Sequence, residues 1–108
     1  MKDLRFRAWD KATEEFIFSD KIAGGMWRYF KELESRGIRH FESQQFTGLL
    51  DRNYTEIYEG DIVWFADTKQ QIYYDAPSFR MDDFGPDAMY GEDMKVIGNI
   101  YMRIRSKI

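Results

Sequence analysis

The sequence contains no cysteine, a single histidine and only two prolines. Without cysteine there is no disulfide and no thiol chemistry. His40 alone cannot complete the usual zinc set, and no Ser or Asp stands at a spacing that suggests a nucleophilic triad with it. No stretch approaches the roughly 18 apolar residues of a membrane-spanning helix. The opening MKDLRFRAWD is charged and aromatic where a secretory leader has an uninterrupted apolar segment. A cytoplasmic protein without a membrane partner is therefore expected. Nor does one sign of charge dominate. Sixteen Lys and Arg face nineteen Asp and Glu, a formal net charge of −3, which gives no overall attraction to nucleic acid and leaves only local patches. No internal repeat, low-complexity tract or cofactor motif is present, and no cofactor is expected.

What is present is a real core for a small chain. Of 108 residues, 44% are hydrophobic and 18% aromatic, which suits one domain over residues 1–108. Its central stretch, Gln44 to Phe65, has the grammar of antiparallel sheet. Gly48 after Phe46 predicts a sharp change of direction, because glycine takes positive φ without a Cβ clash. Asp51-Arg52-Asn53-Tyr54 reads as a hairpin tip, and Glu59-Gly60-Asp61 as a second turn that launches the buried strand Ile62 to Phe65. Asp61 is expected to be structural, accepting N–H bonds from the residues that follow it.

Before this stretch, Leu4, Phe6 and Ala8 alternate with Arg5, Arg7 and Trp9, the period of a half-buried strand. Asp10 to Thr13 predicts a turn and Glu15 to Phe18 the returning strand. Met26, Tyr29, Phe30 and Leu33 recur at helical spacing with Arg28, Lys31, Glu32 and Arg36 turned away. They predict an amphipathic helix ending near Arg36, capped by Gly37. After the centre, Asp67-Thr68-Lys69 reads as a turn and Gln71 to Tyr74 as a strand. Asp75 to Asp93 holds both prolines and an excess of acids, and reads as a long irregular loop. Its spacing does not match a calcium-binding loop, and no metal is expected. Val96-Ile97 opens a last strand with a bulge at Gly98-Asn99, after which Ile100, Met102 and Ile104 alternate with Tyr101, Arg103 and Arg105. The expected fold is mainly β (β-rich α+β): a small antiparallel barrel-like domain with one short amphipathic helix and a long irregular acidic loop.

Three segments, FRAWD at Phe6 to Asp10, QFTGL with EIYEGDIV across Gln45 to Val63, and VIGNIY at Val96 to Tyr101, resemble the YopX family in order and spacing. The resemblance implies a β-rich, barrel-like protein of bacteriophages and prophages with a tendency to self-associate. It carries no established activity and no catalytic residues. Two departures stand out. Asn53 is followed by Tyr54 where the family favours glycine, and the chain runs on as Met102-Arg103-Ile104-Arg105 where the family turns polar.

Three functions compete. No convergent chemical constellation is visible, while three tryptophans sit in a small domain. The first reading is therefore a non-enzymatic phage accessory protein that binds, as a homo-oligomer and with a phage or host protein. The second is nucleic-acid association through the basic faces of the outer strands, with Arg5, Arg7, Arg103 and Arg105 as candidate residues beside Lys2, Lys95 and Lys107. If those strands were neighbours, their like charges would need an acidic cover, either phosphate or the segment Asp82 to Asp93. The third, a magnesium-dependent enzyme built on the acidic loop, has only the excess of acids in its favour, and solvation explains that equally well.

Overall fold

The computed structural model describes residues 5–102. The protein is mostly β, with 46% of residues in strands, two antiparallel sheets of which one is curled like half a barrel, and a single α-helix among the described residues. The chain divides into two compact units, Met1–Gln45 and Phe46–Ile108.

In the first unit, strand β1 (Phe6–Asp10) lies between β2 (Glu15–Phe18) and the opening half of β3 (Phe41–Leu50), antiparallel to both. The β1–β2 turn forms because Asp10 Oδ1 accepts the N–H groups of Ala12 at 2.9 Å and Thr13 at 3.3 Å, and Glu14 closes it with φ 58°. The two faces of β1 alternate as expected, but the strand is not half-buried, since Arg7, Ala8, Trp9 and Asp10 are all buried. Ala8 packs with Tyr29 and Leu33 of helix α1 (Gly25–Arg36), with Phe6, Ile17, Ile22, Met26 and Phe41 around them. The helix starts after Gly24 at φ 99° and ends at Gly37, whose N–H reaches the Glu34 carbonyl. Phe30 departs from expectation. It lies one residue round from the Tyr29 stripe and is 45% exposed, resting edge-on against Tyr29 with ring centroids 5.0 Å apart.

In the second unit, the far half of β3 pairs with β4 (Glu56–Tyr58), and a sheet runs in the order β7 (Ser78–Met81), β6 (Thr68–Asp75), β5 (Asp61–Phe65), β8 (Lys95–Asn99). Ile57, Val63, Ile72, Met81 and Met94 form its core. Gly48 has the positive φ expected of it, 89°, but makes a bulge rather than a turn. Phe46 pairs with Tyr58 and Leu50 with Glu56, so β3 absorbs extra residues and continues. The β5–β6 hairpin turns on Ala66 and Asp67, both at positive φ, and Thr68 and Lys69 already belong to β6. Asp61 is buried and structural, yet its carboxylate reaches backward to the Tyr58 N–H at 2.9 Å, because Gly60 at φ 85° folds the chain over.

The segment read as an irregular loop is more ordered than expected. Across the cis Ala76–Pro77 peptide β7 pairs back on β6, with Met81 buried in the core and Phe79 packed against it. Short 3-10 turns follow at Pro86–Ala88 and Gly91–Asp93. Gly91 packs so tightly that a Cβ there would collide with the Leu50 carbonyl oxygen. The bulge of β8 falls at Ile97, one residue before the expected pair, since Ile62 opposes Gly98 and Val63 opposes Val96. Among the described residues the last strand ends at Asn99, whose side-chain oxygen accepts the N–H groups of Tyr101 and Met102 and turns the chain.

The hairpin tip hangs on one side chain. Asp51 is 4% exposed. Its Oδ1 accepts the N–H groups of Asn53 at 2.8 Å and Thr55 at 2.9 Å, and its Oδ2 accepts that of Val96 at 2.9 Å. Hydrogen bonds to a charged acceptor are the strong ones, and removing it strands buried donors. Asp51→Ala is therefore expected to lower unfolding free energy by about 3 kcal/mol in urea titration, with Asp51→Asn losing about half of that. Within the same tip Tyr54 holds φ 64°, where a Cβ is strained, so Tyr54→Gly is expected to raise stability by about 1 kcal/mol in the same assay.

Candidate interaction surface

The arginines singled out in and just before β1 have partners inside the first unit. Arg7 is buried, its Nε donates to Gln44 Oε1 at 2.8 Å, and its guanidinium lies 4.2 Å from the Phe16 ring centre. The part-exposed Arg5 reaches Asp20 Oδ2 at 3.4 Å. Arg103 and Arg105 lie outside the described residues, as do Lys2 and Lys107. The ladder partners of β1 are β2 and β3, and that of β8 is β5.

The acidic segment is likewise held by the protein's own donors. Asp82 accepts the Tyr73 hydroxyl at 2.7 Å and the Gln71 N–H at 2.9 Å. The first of these bonds, with burial and the Asp82 charge behind it, pushes the Tyr73 phenol above its ordinary pKa. Asp83 and the buried Gln70 exchange two hydrogen bonds, each 2.9 Å long. Asp75 pairs with Arg80 at 3.3 Å. Residues Arg80 to Gly85 line a surface hollow of about 270 Å³. Among the described residues no three His, Asp or Glu side chains gather closely enough to hold a metal ion.

The aromatic surface is more distinctive. On α1, round from the Met26–Tyr29–Leu33 stripe, Trp27 is 66% and Phe30 45% exposed, and Ile38 just beyond the helix is 62% exposed. Residues three and four apart share a helix face, so Trp27, Phe30, Lys31 and Glu34 form one outward stripe. Lys31 lies 5.8 Å from the Trp27 ring centre and 3.8 Å from Glu34. The C-terminal end of the helix is tied down by Arg36, which bonds Glu32 at 2.7 Å and approaches Asp10 at 3.9 Å. The sequence contained this stripe at i, i+3, i+4 and i+7. The stronger apolar stripe one position away concealed it.

Comparison with protein families matched residues 5–103 to the family described as "YopX protein". Among solved structures the chain is similar to the protein in "Crystal structure of protein EF1440 from Enterococcus faecalis". They are 22% identical with a TM-score of 0.61, over 94% of this chain and 95% of that one. That likeness is one of fold. Comparison with curated proteins returned no match.

Asp10 anchors the helix end, and its ionisation gives a pH dependence. Burial acts to raise its pKa, but the N–H groups of Ala12 and Thr13 and the Arg36 charge outweigh this, and the carboxyl sits below its ordinary value. A depressed carboxylate stabilises the fold above its unfolded pKa and loses that contribution as pH falls through the folded one. Wild type is expected to melt above Asp10→Asn at neutral pH, and the gap is expected to close below about pH 4 in thermal melts.

Proposed function

The chain belongs to the YopX family, and on that premise we propose that it is a phage or prophage accessory protein, working in the bacterial cytoplasm by binding rather than catalysis. Its first partner is a second copy of itself, met through the outer face of α1. The observation that carries this is Trp27, two-thirds exposed on a helix whose other face is already buried. Tryptophan is among the residues most enriched at interface hot spots, and Phe30, one turn on, extends the apolar area beside it.

The charges of the outward stripe suit a copy of the same surface: Lys31 lies one turn before Glu34, so a two-fold axis across the helix sets Lys31 of one copy against Glu34 of the other. Binding rather than chemistry is supported by the acidic segment, where Asp75, Asp82 and Asp83 are each held by the protein's own donors. Light scattering across the micromolar range tests the reading. A dimer is expected for wild type and a monomer for Trp27→Glu combined with Phe30→Glu. A wild-type protein that stays monomeric throughout would overturn it.

A further inference from the structure

The solvent side of the β7-β6-β5-β8 sheet carries a pattern that no single strand reveals. Along β5, Val63 enters the core while Ile62 and Trp64 face the other way. The registers then set Trp64 directly opposite Lys69 of β6 on one side and Lys95 of β8 on the other. Directly paired residues bring their Cβ atoms within about 5 Å, so both lysines flank the same indole, about 10 Å apart across the sheet. Among the described residues neither lysine has a carboxylate partner. Of the acids near this face, Asp75 is paired with Arg80 and Asp82 is bonded to Tyr73 and Gln71, while the exposed Asp67 and Asp93 each lie two residues from one of the lysines without forming an ion pair with it. Tyr73 itself is covered by the Arg80 guanidinium, 4.7 Å from its ring centre.

An aromatic plane between two lysines that no carboxylate of the described residues pairs with is an arrangement that takes a base on the ring and phosphates on the flanks. A helical or extended acidic peptide would use the lysines but leave the indole unmatched. Duplex DNA keeps its bases stacked and out of reach. We propose that this sheet face binds single-stranded nucleic acid, with one base stacked on Trp64 and the backbone crossing from Lys69 to Lys95. None of its residues belongs to the arginine pair Arg5 and Arg7 or to the outward stripe of α1.

Fluorescence anisotropy with labelled oligothymidylate and oligouridylate, over a salt series, tests it. Wild type is expected to bind at low salt and weaken as salt rises. Lys69→Glu combined with Lys95→Glu is expected to lose at least about tenfold in affinity and to lower the log–log salt slope by about 1.4, or about 0.7 for each phosphate contact. Trp64→Leu is expected to weaken binding about tenfold with the slope unchanged. The lysine variants alter side chains outside the core and keep the test independent of whether Trp64→Leu folds. The Trp27→Glu, Phe30→Glu variant is expected to retain binding. No binding by wild type, equal affinity for duplex, displacement by polyglutamate at equal charge, or an undiminished double-lysine variant would each overturn the proposal.

Discussion

One carboxylate joins two stretches of the second unit that are 45 residues apart. Asp51 gathers the N–H groups of Asn53 and Thr55 from its own turn and that of Val96 from β8. A backbone bond from the Arg52 N–H to the Met94 carbonyl runs alongside. A buried carboxylate is costly unless its lone pairs are used, and a buried N–H is costly unless it has an acceptor. Each therefore requires the other. The clamp at Val96 holds the start of β8 at a defined position along β5. The bulge at Ile97 can then form without loss of register, and Lys95 arrives opposite Trp64. The strained φ of Tyr54 is tolerated because the turn around it is fixed from both ends.

How far the sequence disclosed this depended on whether a signal was local. The hairpin of β1 and β2, the helix from Gly25 to Arg36 and the turn at Gly60 all rest on neighbouring residues, and all were legible. Gly48 shows the limit. Positive φ was foreseeable, but whether the chain turns or bulges depends on the partner strand, and Tyr58 and Glu56 of β4 carry β3 straight through. The strand at Ser78 to Met81 was missed for a different reason. Four residues between a proline and two aspartates give too short an alternation to outweigh the punctuation around it. Pairing with β6 supplies the missing stability.

The candidate arginines expose a second limit. Alternation along β1 divides the strand into two faces but does not say which meets water. The Arg5–Arg7–Trp9 face is flanked by the aromatics of β2, the next strand of the same sheet. Phe16 lies 4.9 Å from Trp9 by ring centres and beneath the Arg7 guanidinium. The basic-aromatic row on the other sheet has no sequence signature at all. Trp64, Lys69 and Lys95 sit on three strands, and only the registers make them neighbours.

Net charge is a poor guide to what such a row can attract. The chain is formally at −3, which as a bulk property disfavours polyanions. At physiological ionic strength, however, the screening length is about 8 Å. A phosphate at the edge of the Trp64 ring is within that distance of the flanking lysines, Asp67 and Asp93 are the acids near enough to oppose it, and acids farther off are damped by intervening salt. Asp82 and Asp75 also carry bonded donors on the side facing β7, so the sheet face is graded rather than uniformly acidic. Local pairing, not the sum over the sequence, decides which partners the surface admits, and the cross-strand register that Asp51 helps to hold decides the local pairing.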